Sequence, residues 1–177
     1  MLDKLSQRVS AALIESLREQ WTAIAEIDQR VAAIERRIDD WKKQEPSVQA
    51  ISQIPGVGLL SATAAVATMG EAKAFRSGRE FAAWVGLAPR HTGTGGKIEL
   101  HGISKRGDRY LRTLLIHGAR SVLANAKQPN AWLEQSKQRK PGNVVAVALA
   151  NKMARTIWAV LAHDRAYQRD YVSTRPA

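Results

Sequence analysis

Apolar residues near the start of the chain recur with a spacing that only a long α-helix places on one side. Between residues 24 and 41 the intervals are 3, 4, 3, 4 and 3 residues, which is the heptad repeat of a coiled-coil helix. The repeat puts these residues on its seam: Ile24, Val31 and Ile38 at a, and Ile27, Ile34 and Trp41 at d. Pro46 lacks an N–H and clashes with a preceding turn. The pattern therefore predicts one helix over residues 1–45.

Two arrangements would bury this narrow stripe. The helix either lies across its own domain or pairs with a second copy as a coiled coil. We favour the coiled coil, because the segment has no other apolar face to bury. Gln20 stands at a d position and leaves the register near the N-terminus open. The sequence thus predicts that residues 1–45 mediate self-association.

The excess of positive charge lies entirely after this helix. Residues 1–45 contain 8 Lys and Arg against 9 Asp and Glu, net −1, and the remainder contains 19 against 7, net +12. Residues 90–140 alone hold 11 basic residues and three acidic ones. Because Lys and Arg displace counterions from phosphates, this local surplus indicates a polyanion partner.

Composition excludes several classes of protein. The chain has no cysteine, which rules out a disulfide framework, a cysteine zinc site and a thiol nucleophile. No run of 18 apolar residues and no signal-peptide layout occurs, so we expect a cytoplasmic protein without a membrane partner. The acidic residues after Glu45 are scattered, and no pair has metal-ligand spacing. The sequence therefore predicts no metal or cofactor site in this chain.

The rest of the chain is typical of a mainly α domain over residues 46–165, with 166–177 as a flexible tail. Pro, Gly and capping residues divide it into helices. One Gly/Thr-rich loop, residues 88–97, interrupts them, with at most a short strand pair and residues 97–100 as the plausible strand. The predicted helices cover residues 48–54, 59–69, 77–85, 110–124 and 130–138, with a long one after residue 142.

Residues 51–58 (ISQIPGVG) join two of these helices and resemble a helix-hairpin-helix turn. Glycine permits a tight turn and close backbone approach, so the N–H groups at Gly56, Val57 and Gly58 can converge on a phosphate. Such a contact positions DNA without reading its sequence. A plain αα-hairpin turn is the alternative.

Residues 102–112 (GISKRGDRYLR) concentrate positive charge at the start of the next helix. Arg109 and Arg112 are three residues apart and are predicted to share a helix face, and the helix N-terminus also favours anions. The alternative is a solvated basic surface. The predicted phosphate-contacting residues here are Ser104, Lys105, Arg106, Arg109 and Arg112.

Residues 88–97 (APRHTGTGGK) combine hydroxyls, a histidine and glycines with Arg90 and Lys97. A hydroxyl can attack a phosphodiester while the cations stabilise the charge that develops. Gly/Thr-rich loops are common, however, and His91 is typical of a surface residue. These residue types alone do not specify catalysis.

Four motifs in this order, IPGVG, FAAWVGLAPR, TGGK and GISKRGDRYLRTLLIHGAR, together resemble one family. It is the C-terminal domain of the insertion-sequence transposases related to the pilin-gene invertase, and the likeness runs from Ile51 to Leu161. The resemblance implies an N-terminal DEDD nuclease domain that uses Mg, joined by a coiled coil to a domain with a serine nucleophile. It also implies oligomers guided by a structured noncoding RNA. By position the serine falls on Thr94, with Gly93 before it and Thr92 as the nearby substitute.

The resemblance makes residues 46–165 a transposase C-terminal DNA-binding domain, in a chain without the nuclease domain. We expect the chain to bind DNA, with a guide RNA as a further candidate partner, and to be inactive alone in strand exchange. The alternative is a non-catalytic helix-hairpin-helix module for nucleic-acid binding and oligomerisation. A truncated element without a selected function is a third reading. An exposed Thr94 hydroxyl beside Arg90 or Lys97 would favour the catalytic role.

Overall fold

The computed structural model describes residues 10–94, 97–127 and 130–169. Within the strands, the side chains of Thr94, Lys97, Ile98 and Leu100 also lie outside this description. The chain divides into two compact units, Met1–Trp41 and Lys42–Ala177. The division falls a few residues before the boundary at 45 that the sequence predicts.

In the described residues of the first unit the chain forms helix α1, Ala11–Gln44, whose last three residues are counted with the second unit. The predicted long N-terminal helix is thus confirmed. Its seam is open to solvent: Ile24, Ile27, Val31 and Ile34 are 47–57% exposed. Burying such a stripe requires a partner surface, so the coiled coil stays a prediction that this exposure motivates.

The second unit contains the remaining described helices and one strand pair. A 3₁₀ turn, Ala72–Ala74, follows the second of these helices. The helices are α2 Pro46–Ser52, α3 Leu59–Met69, α4 Gly78–Trp84, α5 Arg109–Asn125, α6 Ala131–Arg139 and α7 Gly142–His163. Ser77, Asp108 and Asn130 cap α4, α5 and α6 through their side-chain oxygens, as their residue types favour. The mainly α fold class is confirmed.

Helix α7 is the centre of this unit. Helices α2, α4, α5 and α6 all pack on it, and Ile157, Ala150 and Ala154 are completely buried. By length and composition alone α7 could cross a membrane. Here its apolar residues contribute to a core with Phe81, Leu111 and others, so packing within the domain accounts for them.

The strand pair is larger than the sequence suggests. Strands β1, Pro89–Thr94, and β2, Lys97–Ile103, form an antiparallel two-stranded sheet. The predicted strand at 97–100 is therefore present, but the Gly/Thr-rich segment before it is also a strand. Thr and the lack of helix formers favour an extended chain there, and Pro89 stands at the strand's first position, where proline is tolerated.

The end of the packed chain also differs from the expected boundary at 165. Tyr167 is partly buried against the core, and the Arg165 N–H donates to the Val160 carbonyl at 3.1 Å. The domain therefore continues at least to Tyr167. Residues 170–177 of the expected flexible tail lie outside the described residues.

Candidate nucleic-acid interface

The turn between α2 and α3 rests on α5 through a contact between two glycines. Gly56 has φ +85°, and a Cβ on it would lie 2.8 Å from the Gly118 carbonyl oxygen. A Cβ on Gly118 would in turn lie 2.0 Å from the Gly56 oxygen. The Val57 N–H donates to Ile54 at 2.9 Å, and Val57 is 4% exposed. Glycine is required at both positions because the backbones themselves are in contact.

This packing divides the three residues that the sequence assigns to phosphate binding. Gly56 and Val57 face the domain, whereas Gly58 is exposed and begins α3 without a side-chain cap. The first backbone bond of α3 runs from the Ala62 N–H to Gly58. The uncapped N–H groups of the first turn are therefore the part of this hairpin that a phosphate can reach.

A second glycine contact fixes the basic loop at residues 104–109, the last of which is the first residue of α5. Gly107 has φ +96°, and a Cβ there would lie 1.7 Å from the Trp84 oxygen. Gly86 meets the backbone of Arg106 in the same way. The Lys105 N–H donates to Gly86 at 3.1 Å, and Lys105 itself adopts φ 55°. The loop is held against the end of α4 by its backbone, without using the side chains of Lys105 and Arg106.

The side chains of Lys105, Arg106 and Arg109 project from this loop and are exposed. In the described parts of the chain, no carboxylate pairs with any of them. Asp108, between them, is used as the cap of α5, since its Oδ1 accepts from the Leu111 N–H at 2.6 Å. Ser104 is half-buried, and its Oγ accepts from the Arg106 N–H at 3.4 Å. The loop thus presents three cations from one rigid backbone.

Arg112 does not join them, contrary to the expectation from its spacing. It is 8% exposed, and its Nη1 donates to the Val85 carbonyl at 2.8 Å and to the Asp108 carbonyl at 3.4 Å. The reason is helix phase: Arg112 lies three residues before Leu115 and seven before Ala119, so it shares the buried face of α5 with them. Arg112 therefore links the end of α4 to the start of α5 and supports the loop from inside.

The strand pair carries the remaining candidates. Arg90, His91 and Thr92 are exposed on β1. Thr94 of β1 pairs with Lys97 of β2 across the two-stranded ribbon that these strands form. Because the side chains of Thr94 and Lys97 lie outside the described residues, the expected exposure of the Thr94 hydroxyl stays a prediction.

A contact on this ribbon went unrecognised in the sequence. Thr92 lies opposite Glu99, and the Thr92 Oγ1 is hydrogen-bonded to His101 Nε2. Glu99 Oε2 is 4.0 Å from the same nitrogen. Residues two apart on a strand share a face. The pairing of Thr92 with Glu99 would therefore have placed His101 on the same face of the strand pair as Thr92. Within the described ranges, no three His, Asp or Glu side chains group as metal ligands.

The comparisons with known proteins agree with this assembly of motifs. Residues 48–134 match the sequence model of the Transposase IS116/IS110/IS902 family. A Pseudomonas aeruginosa protein named as a probable family 20 transposase is 47% identical over 89% of this chain and 48% of its own length. The transposase of insertion sequence IS1111A from Coxiella burnetii is 38% identical over 84% and 42%, respectively. That of IS1328 from Yersinia enterocolitica is 36% identical over 80% and 43%.

The chain thus spans about half, or somewhat less, of the length of these curated relatives. The matched segment begins in α2 and ends in α6, so it includes the hairpin turn, the ribbon and the basic loop. Residues 48–134 therefore carry the sequence features of the transposase IS116/IS110/IS902 family.

Proposed function

We propose that this chain is the DNA-binding part of a transposase and that it holds the phosphate backbone through the basic loop at residues 104–109. The observation that carries the proposal is the set of three exposed cations, Lys105, Arg106 and Arg109, on a loop fixed by glycine contacts. A loop whose backbone is held in place before binding loses less conformational freedom on binding than a mobile loop.

The uncapped start of α3 supplies a second contact on the same support. Helix α5 begins at Arg109 and meets the hairpin turn at Gly118, and the helical rise puts about 14 Å between these two residues. Each phosphate along a strand advances about 3.4 Å of duplex axis, so this distance corresponds to roughly four base pairs. Both contacts suit one short stretch of DNA backbone. They position DNA without reading its sequence.

Self-association through α1 and strand exchange belong to the same proposal. The exposed seam of α1 supports a coiled coil with a second copy, and the ribbon supplies hydroxyls, with Thr94 at the position that the family resemblance implies. A structured RNA presents the same phosphates and is a further candidate partner. The site of action is the cytoplasm.

The alternative is a binding and oligomerisation module without chemistry. It shares the loop, the hairpin and α1 with the first proposal and differs only at the ribbon. The exposed stripe of α1 favours it as much as it favours the transposase role. Catalysis by residues of the ribbon would therefore distinguish the transposase role from the non-catalytic module.

The binding surface is tested by removing its charge. In the triple variant Lys105→Ala, Arg106→Ala, Arg109→Ala, the affinity for duplex DNA should fall, and the log–log slope of affinity against salt should decrease by about 3, one for each lost phosphate contact. Fluorescence anisotropy across a salt series measures both quantities. A structured RNA competitor shows whether the same surface binds RNA.

The matched control makes the same change in net charge elsewhere on the domain. Lys73→Ala, Arg79→Ala, Arg155→Ala removes three exposed cations and should leave the slope close to the parent value. Equal losses in the two triple variants would mean that net charge alone attracts DNA, and the proposed surface would be wrong.

A further inference from the structure

We propose that the basic loop at residues 104–109 binds DNA where nucleotides are unpaired, and that the rings of Tyr110 and Trp84 stack on the bases exposed there. This inference rests on the proposed function, because the loop must first hold the DNA backbone. It names the preferred substrate as a duplex interrupted by unpaired nucleotides, in place of a continuous duplex.

Tyr110 adds an exposed aromatic ring to the end of the basic loop. It follows directly after Arg109 in the first turn of α5 and is 59% exposed. In the part of the chain that the structure describes, its side chain has no hydrogen bond and no ring contact. A tyrosine ring has few rotatable bonds, so it offers a large flat contact area at a small cost in conformational entropy when a ligand binds.

Trp84 supplies a second ring, on the helix against which the loop packs. It is the last residue of α4, and Gly107 of the loop packs on its carbonyl without room for a Cβ. Trp84 is 40% exposed, although its ring also stacks on Phe81 and meets Phe75 edge to face, with centroids 6.0 and 5.6 Å apart. These contacts hold the indole in place, so a base that stacks on its exposed part meets a ring that is already ordered.

The combination of exposed rings with cations determines the class of ligand. Lys105, Arg106 and Arg109 are exposed in the loop and attract phosphates whether or not the bases are paired. A paired base must leave the duplex stack before a protein ring can cover it, which costs free energy, whereas an unpaired base is accessible at once. Stacking on an aromatic side chain then raises affinity by about 5- to 150-fold for each base.

The other exposed tryptophans do not share this combination. Trp132 on α6 is 36% exposed, but Lys152 Nζ lies over its ring at 4.8 Å from the centroid, so a cation already occupies one face. Trp21 and Trp41 are exposed on α1, in the first 45 residues, whose net charge is −1. Trp132 therefore serves as the control for an exposed ring on the same domain that does not border the loop in sequence or through its backbone.

The variants are chosen to separate stacking from folding. Tyr110→Phe keeps the ring and removes the hydroxyl, whereas Tyr110→Leu removes the ring and keeps an apolar side chain with good helix propensity. Because Tyr110 is exposed, neither change should shift the urea midpoint of unfolding by much. Trp84 also packs on Phe81, so the Tyr110 variants decide the question alone if Trp84→Leu fails to fold.

The experiment uses the full 177-residue chain and two DNAs of equal length and charge, a continuous duplex and the same duplex with a central bubble of mismatched nucleotides. The parent chain and Tyr110→Phe should bind the bubble DNA more tightly, by about 5-fold or more for each stacked base. Tyr110→Leu should lose about 5-fold or more of the affinity for the bubble, with unchanged duplex affinity and salt slope. Trp132→Leu should change neither affinity.

A fluorescent base provides a readout that charge alone would not move. A 2-aminopurine in the bubble should be quenched when the parent chain or Tyr110→Phe binds, because stacking on an aromatic ring quenches its emission. The quenching should be weaker with Tyr110→Leu and weakest with Tyr110→Leu combined with Trp84→Leu.

Anisotropy on both DNAs separates the possible failures. Equal affinity of the parent chain for the bubble and the continuous duplex would overturn this inference and leave the proposed binding of the DNA backbone intact. The same conclusion would follow if Tyr110→Leu and Tyr110→Phe behaved alike. A preference for unpaired nucleotides in the matching RNA duplex but not in DNA would overturn DNA as the substrate. Absence of binding to either DNA would overturn this inference and the proposed function together.

Discussion

Gly118 is the residue at which the absence of a side chain matters most for the hairpin. An alanine there would improve helix propensity by up to about 1 kcal/mol, yet its Cβ would lie 2.0 Å from the Gly56 oxygen. Backbone cannot move aside as a flexible side chain can, and overpacking costs about 1–3 kcal/mol or more. We expect Gly118→Ala to lower the free energy of unfolding, measured as the urea midpoint.

Gly142→Ala is the matched control. Gly142 is also a helical glycine, but a Cβ on it would meet nothing within 4 Å. Alanine there should be neutral or stabilising by up to about 1 kcal/mol. If both variants shifted the midpoint in the same direction, the contact between Gly56 and Gly118 would not be what limits residue 118.

Single residues also show where sequence reasoning succeeds and where it stops. Asp108 caps α5 as its residue type favours, through a bond to a residue only three positions away. Arg112 is placed incorrectly on the surface, because its partner Val85 lies 27 residues away in the sequence. A buried arginine depends on a carbonyl that only the fold brings near it.

At the scale of elements, the exposed seam of α1 leads to a prediction about self-association that can be tested without DNA. Ile27 and Ile34 are exposed d positions of its heptads. Aspartate at both would place charge in the seam of a coiled coil, where burial of an unpaired charge is unfavourable. Ile27→Asp with Ile34→Asp should abolish self-association in sedimentation velocity, whereas the unsubstituted chain should sediment as an oligomer.

The control places the same charges outside the seam. Ala25 and Ala32 are exposed b positions of the same helix, so Ala25→Asp with Ala32→Asp should preserve the oligomer. A monomeric parent chain, or dissociation in both variants, would contradict the coiled coil and favour a helix that lies across its own domain.

Elements differ in how far the sequence could predict them. The helices were predictable because Pro, Gly and capping residues mark their ends, and their bounds agree within a few residues. Strand β1 was not, since its Gly and Thr content suggested a loop and its stability comes from pairing with β2. That pairing also sets the register that brings Thr92 to His101. This contact could therefore not be predicted without strand β1.

For the whole molecule, the division of charge predicts different tasks for the two ends of the chain. The first 45 residues have a net charge of −1 and the rest +12, so we expect DNA affinity in the second part and self-association in the first. Each basic domain in an oligomer is tied to another. Tethering converts the second contact with one DNA molecule into an intramolecular event, which raises overall affinity by about 10²–10⁴ without new contacts.

This coupling predicts how affinity depends on DNA length. An oligomer should bind a duplex that holds two domains far more tightly than a duplex that holds only one. In Ile27→Asp with Ile34→Asp this preference should disappear, because each domain then binds alone, while affinity for the short duplex should change little. Anisotropy with short and long duplexes at one salt concentration measures the ratio, and Ala25→Asp with Ala32→Asp should retain it. A length preference that persisted in the seam variant would mean that the domains associate through contacts outside α1.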